Sequence, residues 1–292
     1  MKSGIVSIIG RPNSGKSTLL NHLVGEKISI VTDKPQTTRR IVRGIVTRPD
    51  GQIVFLDTPG IHKPIHRMNE GMMKAVRQAM ADIDLILLIV DASVAFGRGD
   101  EFTLDLLKPV SGRKFLLLNK IDLVEKKSLL PLIDRYSKLG EFEEIIPISA
   151  LSGENFDALI GQILKYLPEG PMFYPADQIS DQQERAIAAE MIREKLIVLT
   201  EEEMPYSTAV VIDRFEEDAT LCRIFATVFV ERDSQKAIVI GKAGQKLKQV
   251  GTEARSELES FLGRKVFLDL HVKVKKHWRD DEDTLRGLGL GE

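Results

Sequence analysis

The stretch that decides the fold reads Gly10-Arg11-Pro12-Asn13-Ser14-Gly15-Lys16-Ser17. An apolar run at residues 4–9 precedes it, and a helical pattern at residues 18–24 follows. A G-x-x-x-x-G-K-[ST] loop between a strand and a helix surrounds phosphate oxygens with its backbone N–H groups. We therefore predict that Lys16 reaches the β- and γ-phosphates of a nucleotide and that the Ser17 hydroxyl binds Mg²⁺. The predicted nucleotide contacts of this segment are Gly10, Arg11, Pro12, Asn13, Ser14, Gly15, Lys16, Ser17 and Thr18.

A second polar segment, Asp57-Thr58-Pro59-Gly60, closes the apolar run at residues 52–56. An aspartate at the carboxyl end of a strand holds Mg²⁺ through water in such sites, and a following glycine presents its N–H to the γ-phosphate. We assign the first role to Asp57 and the second to Gly60. Thr58, Pro59 and Ile61 are predicted as neighbouring contacts.

Two further segments predict recognition of a purine base. In Asn119-Lys120-Ile121-Asp122, the Asp122 carboxylate would accept hydrogen bonds from the N1–H and 2-amino groups of guanine, a pattern that adenine lacks. The asparagine of this segment would tie it to the phosphate loop, and the lysine stem would lie over the purine. In Ser149-Ala150-Leu151, the Ala150 N–H would donate to guanine O6.

The segment at residues 34–40 is polar, basic and proline-containing, which predicts a mobile loop. A threonine hydroxyl in such a loop completes the Mg²⁺ shell, and its carbonyl orients the attacking water. We assign this role to Thr38, with Thr37 as the alternative.

These segments, in this order, resemble those of the translation-factor-type GTPases over residues 1–168. The resemblance implies a doubly wound α/β fold, GTP as substrate, GDP as product and Mg²⁺ as cofactor. Ras-like enzymes place a glutamine directly after Asp-x-x-Gly, whereas this chain has Ile61, so slow intrinsic hydrolysis is expected. GTPases with a hydrophobic residue there often use K⁺ and carry an asparagine in the phosphate loop, which Asn13 matches. Arg39 or Arg40 acting as an internal arginine finger is the weaker alternative. The resulting catalytic set is Lys16, Thr38, Asn13 and Gly60.

The composition narrows the class of protein. A length of 292 residues favours two domains. The single Cys222 excludes an internal disulfide and a cysteine-based metal site, and the five histidines lack metal-ligand spacing. We expect no signal peptide, and the longest apolar run, residues 85–90, is too short to cross a bilayer. We expect a soluble, cytoplasmic protein.

Three prolines and a glycine at residues 168–175 interrupt the alternation of strands and helices. We predict a first domain at residues 1–168, a linker at residues 169–176, and a smaller α+β domain at residues 177–292. A helix is expected to begin at Ser180. Its buried face would be carried by Ile187, Met191, Ile192 and Leu196. Strands near residues 208–214, 223–231 and 266–274, and a helix at residues 245–262, complete the prediction.

The segment Gly241-Lys242-Ala243-Gly244 lies between two helices flanked by strands, which is the arrangement of a type II KH domain. Its glycines let a nucleic-acid backbone come close. Residues 236–279 carry eleven lysines and arginines against four acids, in a chain of net charge −2, which favours phosphate binding. The predicted RNA contacts are Gly241, Lys242, Ala243, Gly244, Lys246 and Lys248. Trp278 is either a base-stacking residue or an anchor of a core or interface.

The GTPase segments, the proline-rich linker and the KH pattern together resemble the Era family of bacterial GTPases over essentially the whole chain. The resemblance implies a switch that binds the 3′ region of 16S ribosomal RNA through the KH domain and acts on the 30S subunit precursor. It also implies peripheral contact with the inner membrane; we expect a monomer and no DNA partner. Two alternatives stay open. One is a GTP-dependent protein-docking switch at the membrane that binds no RNA, and the other is a GTPase that serves RNA modification or the large subunit.

Overall fold

The computed structural model describes residues 1–62, 64, 66–200 and 204–290. Contacts divide the chain into a first compact unit, Met1–Pro64 with Met72–Asp181, and a second, Ile65–Gly71 with Gln182–Glu292. Both units mix helices and strands, so the predicted combination of an α/β domain and a smaller α+β domain is confirmed.

A six-stranded sheet in the order β2-β3-β1-β4-β5-β6 forms the centre of the first unit. Strand β2 runs antiparallel to β3, and the other neighbours are parallel. The apolar runs at residues 4–9 and 52–56 lie in this sheet, in its first and third strands. Its strands are β1 (Lys2–Ile9), β2 (Val42–Arg48), β3 (Gly51–Asp57), β4 (Leu85–Asp91), β5 (Arg113–Asn119) and β6 (Glu144–Pro147).

Helices cover both faces of this sheet, which explains why its parallel strands are almost continuously apolar. One buried layer contains Phe55 and Phe115, and the layer on the opposite face contains Ile86 and Leu116. The helices are α1 (Lys16–Val24), α2 (Arg67–Gln78, in this unit from Met72 onward), α3 (Arg98–Leu107), α4 (Lys126–Leu139) and α5 (Phe156–Tyr166).

The stretch after α5 lies against the first unit as far as Asp181. The Gln52 side chain donates to the Tyr174 carbonyl at 2.9 Å and accepts the N–H groups of Tyr174 and the residue before it. Farther along, the Ile45 N–H of the edge strand β2 donates to the Ile179 carbonyl at 2.8 Å. The two units divide after Asp181, while the linker bounds at residues 169–176 stay a prediction.

The second unit packs helices on a three-stranded sheet in the order β7-β8-β9, with β7 antiparallel and β9 parallel to β8. Ile187, Met191, Ile192 and Leu196 are all buried in its core, as the helical spacing predicts. Cys222 is buried in the same core. The elements are α6 (Glu184–Leu199), α7 (Met204–Ser207), β7 (Ala209–Glu217), β8 (Leu221–Val230), α8 (Asp233–Ile240), α9 (Gln245–Leu262), β9 (Lys265–Val274) and α10 (Glu282–Gly287).

One predicted helix start is wrong. Helix α6 begins at Glu184, because the Ser180 hydroxyl donates to the Arg43 carbonyl at 2.6 Å instead of capping a helix.

Candidate functional site

The carboxyl ends of the parallel strands bring the predicted nucleotide segments together. Strand β1 pairs with β3 so that Ile8 faces Asp57, and β4 pairs with β5 so that Asp91 faces Asn119. In open parallel sheets, ligands bind at this edge. The cleft here is lined by the phosphate loop, by parts of residues 30–38, and by Gly60 and Lys120.

Lys16 is buried at the start of α1. Its ammonium donates to the carbonyls of Gly10 and Arg11 at 3.2 and 2.7 Å. Burial lowers the pKa of Lys16 from 10.5 to about 8, while the nearby Asp57 opposes this change. A bound phosphate would place negative charge beside the buried ammonium and so stabilise its protonated form. The loop therefore suits a phosphate ligand.

Asn119 joins three segments of the site. Its Nδ2 donates to the Ser14 carbonyl at 2.8 Å, and its Oδ1 accepts the Ala150 N–H at 2.8 Å. Gly15 makes this close approach possible, because its φ is 100° and an added Cβ would lie 2.2 Å from Asn119 Nδ2. The predicted tie between the base-reading segment and the phosphate loop is therefore present.

The Ala150 N–H departs from its predicted partner. It donates to Asn119 within the protein, so guanine O6 would have to share or replace that hydrogen bond. Leu151, the last residue of this predicted segment, is largely exposed.

Four hydroxyl and carboxylate side chains form a buried oxygen cluster below the phosphate loop. Ser17 Oγ donates to Asp57 Oδ2 at 2.7 Å and lies 2.8 Å from Thr38 Oγ1. Ser29 Oγ donates to the same Asp57 oxygen at 2.9 Å. The three predicted metal ligands thus meet at one point, together with a serine that the sequence analysis did not identify.

This oxygen cluster fits Mg²⁺, which prefers oxygen ligands. Asp57 is fully buried, and its Oδ1 has no hydrogen-bond partner among the described residues. Burial raises the pKa of Asp57, and Lys16 and the surrounding hydroxyls only partly oppose this. A bound divalent cation would supply the missing positive charge.

The two candidate threonines of the loop at residues 34–40 differ in their contacts. Thr37 Oγ1 donates to the Lys34 carbonyl at 2.6 Å and lies 2.7 Å from Thr32 Oγ1, so its hydroxyl is engaged within the loop. The Thr38 hydroxyl instead lies on Ser17. This geometry favours Thr38 for the metal-binding role.

Gly60 and Ile61 lie close to the phosphate loop. An added Cβ on Gly60 would lie 2.9 Å from Pro12, so a side chain would displace the loop. The Ile61 N–H donates to the Gly10 carbonyl at 3.0 Å, while its side chain is buried in the apolar layer with Ile9. The Ile61 side chain therefore has no means of orienting water. Beside them, Thr58 Oγ1 donates to the Ile8 carbonyl at 2.8 Å.

The base-reading Asp122 has a defined orientation. Ser149, which is fully buried, donates from its hydroxyl to Asp122 Oδ1 at 2.6 Å. The carboxylate is exposed to solvent in a short 3₁₀ turn at Ile121–Leu123. This serine holds the carboxylate in place before any base is present.

Asn13 contacts the loop that carries the two candidate arginines, and these arginines differ in exposure. Asn13 Nδ2 donates to the Asp33 carbonyl at 2.6 Å, which connects the phosphate loop with the loop that carries Thr38. Arg39 is 4 % exposed, whereas Arg40 is half-buried. A buried guanidinium is poorly placed to move as an arginine finger.

Further residues that no sequence motif predicts hold this site. Asn21 Oδ1 accepts the backbone N–H of Ser29 at 2.9 Å and so places that serine beside Asp57. Asp100 accepts from Arg11 of the phosphate loop at 2.9 Å. An asparagine after the loop and an acid at a helix start carry no motif, so only their contacts identify them.

In the second unit, the predicted RNA-binding loop joins α8 to α9. Gly241, Ala243 and Gly244 have φ of 71°, 49° and 77°, and an added Cβ on Gly244 would meet no atom within 4 Å. Lys242 and Lys248 are exposed. Within the described parts of the chain, no ion pair is formed by Lys242, Lys246 or Lys248.

Trp278 belongs to the core of the second unit. It is fully buried, and its indole N–H donates to the Ser207 carbonyl at 2.9 Å. The sequence left open whether Trp278 stacks on a base or anchors a core or interface. Its buried position allows only the role of an anchor.

No helix within the described ranges is long and apolar enough to span a membrane. Those ranges also contain no group of three or more His, Cys, Asp or Glu residues arranged to hold a metal ion.

Two family models match the chain. A model described as a 50S ribosome-binding GTPase matches residues 5–120, and a KH-domain model matches residues 203–279.

The chain is also similar to proteins of known name. It is 52% identical to GTPase Era of Staphylococcus haemolyticus (strain JCSC1435) over 292 residues, which is 100% of this chain and 98% of that protein. It shares 43% identity and a TM-score of 0.96, over 100% of both chains, with a crystal structure of Era in complex with MgGDPNP and nucleotides 1506–1542 of 16S ribosomal RNA. A point variant of Aquifex aeolicus Era bound to GDP and AlF4⁻ matches with 43% identity and a TM-score of 0.95, again over 100% of both chains.

Proposed function

Because the chain belongs to the Era family of GTPases, we propose that it is a GTP-driven switch that binds the 3′ region of 16S ribosomal RNA and acts on the precursor of the 30S subunit. The observation that carries this proposal is the occurrence of two sites in one chain. An oxygen cluster of Ser17, Thr38 and Asp57 lies below a phosphate loop, and a glycine loop in a KH domain presents the exposed Lys242.

Hydrolysis of GTP to GDP and phosphate requires charge stabilisation around the β- and γ-phosphates. Ser17 and Thr38 would hold Mg²⁺ directly, and Asp57 would hold it through water. When bound, the ion neutralises charge that develops on the phosphate oxygens. Lys16 binds the same oxygens, and the Gly60 N–H faces the γ-phosphate.

Guanine selection depends on Asp122. Its carboxylate, oriented by Ser149, would accept both N1–H and the 2-amino group of guanine. Adenine offers no such pair and would leave the carboxylate without partners, at a cost of about 1–3 kcal/mol or more.

Ile61 is buried and has no polar group that could act in catalysis. The positive charge that stabilises the transition state would therefore come from a K⁺ ion held partly by Asn13. The contact between Asn13 and the Asp33 carbonyl supports this role, because it brings an amide and loop carbonyls to the mouth of the phosphate loop. We expect faster turnover in K⁺ than in Na⁺, and loss of this difference in Asn13→Ala. Equal wild-type rates in the two ions would contradict the K⁺ role and leave the GTPase assignment intact.

The switch itself would work through ordering of loops. GTP and Mg²⁺ would order the segment around Thr38 and the segment after Gly60, and hydrolysis would release both. The GTP state would then favour RNA binding by the KH domain, and GDP would disfavour it. By linkage, RNA must favour GTP over GDP by the same factor.

Membership of the family suggests that the protein is a cytoplasmic monomer that contacts the inner membrane peripherally. Fractionation of cells followed by a high-salt wash tests this point. Protein that resists the wash would contradict a peripheral contact.

The decisive experiment titrates a labelled RNA that copies the 3′ end of 16S ribosomal RNA, first with a non-hydrolysable GTP analogue and then with GDP. We expect tight binding only with the analogue, and affinity that falls steeply as salt rises. Equal affinity in both nucleotide states would argue against the switch. No binding in either state would assign the KH domain to another RNA or to a protein.

Loop variants complete the test. Replacing Gly241 and Gly244 by Asp should abolish RNA binding, but a Cβ on Gly241 would lie 2.6 Å from the Lys246 side chain. The single variant Gly244→Asp avoids this clash and should still repel phosphate. Gly263→Asp is the matched control, because it adds the same charge at another glycine in the left-handed region, with φ of 64°, where no atom lies within 4 Å of the new Cβ.

A further inference from the structure

Asp91, at the carboxyl end of β4, belongs to none of the nucleotide-binding segments, yet its side chain contacts one of them. Asp91 Oδ2 lies 2.5 Å from the ammonium of Lys120. The two side chains are 18 % and 31 % exposed, so the pair is partly shielded from solvent. Pairs with this degree of shielding are stronger than exposed surface ion pairs.

The two oxygens of the Asp91 carboxylate have different partners. Oδ1 accepts the backbone N–H of Ser93 at 2.9 Å and the Ser93 hydroxyl at 2.6 Å. Oδ2 is thereby directed toward Lys120. Partial burial alone would raise the pKa of Asp91, but the hydrogen bonds from Lys120 and Ser93 lower it overall. Asp91 is therefore an ionised carboxylate fixed in one orientation.

Lys120 is a residue that needs such a partner. It has φ of 65°, in the left-handed region, and directly precedes the 3₁₀ turn at Ile121–Leu123. A lysine stem has many rotamers, and covering a base face requires one of them. The backbone adds a second tie at this point, because the Ala92 N–H donates to the Asn119 carbonyl at 2.8 Å.

We propose that Asp91 is a positioning residue for guanine nucleotides, which holds Lys120 so that its stem covers the face of the base. Ser93 supports this role by fixing the carboxylate. The inference rests on the proposed function of the Asn119–Asp122 segment in reading guanine, and it adds the turn after β4 to that site.

A purely structural role makes a different prediction. If Asp91 only ended β4 through its bonds to Ser93, removing its side chain would weaken the fold and would affect every ligand, whether or not Lys120 were present. If Asp91 acts through Lys120, its effect must disappear when Lys120 is absent.

The test is a double-mutant cycle on the full chain, with a fluorescent GDP and a non-hydrolysable GTP analogue as probes. We expect Asp91→Ala to weaken both probes equally, by about tenfold, because the base is common to both. In the Lys120→Ala background, Asp91→Ala should cause no further loss. The turnover number at saturating GTP should stay near the wild-type value, because the phosphate end of the site is untouched.

Two further variants make the result specific. Asp91→Asn keeps an acceptor for Ser93 but removes the charge. It should therefore lose most of the affinity that Asp91→Ala loses, while its melting temperature stays at the wild-type value. If Asp91→Ala does not fold, Asp91→Asn replaces it in the cycle. Asp134→Ala removes an exposed ion pair with Lys138 on α4 and should leave affinity unchanged.

Additive losses in the cycle, or unequal losses for the two probes, would overturn the positioning role. Failure of the wild-type chain to bind GDP would instead contradict the proposed function, so the two failures are distinguishable.

Discussion

The Ser29 hydroxyl donates to Asp57 Oδ2 at 2.9 Å, and Ser17 donates to the same oxygen. The other carboxylate oxygen of Asp57, Oδ1, has no hydrogen-bond partner among the described residues. Since removal of a group that orients a metal ligand typically lowers metal affinity by about 10- to 100-fold, Ser29 should matter for Mg²⁺ although it follows no motif.

Replacing Ser29 by Ala should therefore weaken Mg²⁺ binding by about tenfold. Mg²⁺ dependence of the rate of GDP release measures this directly, without GTP turnover. Ser137→Ala is a matched control, because that hydroxyl only donates to the Asp134 carbonyl on the exposed surface of α4. Unchanged Mg²⁺ dependence in Ser29→Ala would show that Asp57 needs no support from this serine.

Asp122→Asn should lower GDP affinity by about 100-fold, because an amide cannot accept both guanine donors. The same variant should gain affinity for xanthosine diphosphate, whose 2-oxo group accepts from the new amide. Competition binding with both nucleotides measures the exchange. Loss of both affinities together would indicate a disturbed turn and not an altered base preference.

Trp278→Ala should destabilise the second unit by about 3–5 kcal/mol, because it removes a fully buried ring. Trp278→Phe should lower the free energy of unfolding by about 2 kcal/mol, since it fills most of the space but removes the hydrogen bond to the Ser207 carbonyl. Urea unfolding at equilibrium measures both. RNA affinity of the folded Trp278→Phe chain should equal that of wild type, and a clear loss would restore a base-stacking role.

Asp218 should make stability depend on pH in the acidic range. Hydrogen bonds from the N–H groups of Thr220 and Leu221, and from Arg223, lower the pKa of Asp218 from 3.8 to about 2. A folded-state pKa below the unfolded value adds stability above the unfolded value, and this stability is lost as pH falls through the folded one.

Asp218→Ala should therefore lower the urea midpoint at about pH 6, and the difference from wild type should shrink between about pH 4 and pH 2. Asp134→Ala, at an exposed helical position, provides the comparison. A difference that persists unchanged at the acidic end would place the effect in the turn geometry instead of the charge.

The sequence predicts the nucleotide site well where residues stand at the ends of apolar runs. Asp57 and Asn119 end β3 and β5, and parallel strands bring such positions to one edge of a sheet whatever the rest of the fold is. Gly15 and Gly244 can also be predicted, because their left-handed conformations favour a residue without a side chain.

The residues that support this site cannot be predicted from the sequence in the same way. Ser29 and Asp100 lie far along the chain from their partners, and nothing in their neighbourhoods distinguishes them from solvent-facing polar residues. Asp91 does follow an apolar run, at residues 85–90, but no motif connects it with Lys120. Ser180 fails for a related reason, because a tertiary contact with Arg43 takes the hydroxyl that local sequence assigns to a helix cap.

The contact between Ile45 and Ile179 has a consequence for the behaviour of fragments. Strand β2 is one of the two edge strands of the six-stranded sheet, and an uncovered edge strand invites pairing with other molecules. The chain as far as Asp181 occupies part of that border, with the Ser180 hydroxyl on the Arg43 carbonyl and Arg43 paired with Asp181. A GTPase fragment that ends at Pro168 leaves β2 exposed and should self-associate. A fragment that ends at Asp181 covers part of β2 and should aggregate less.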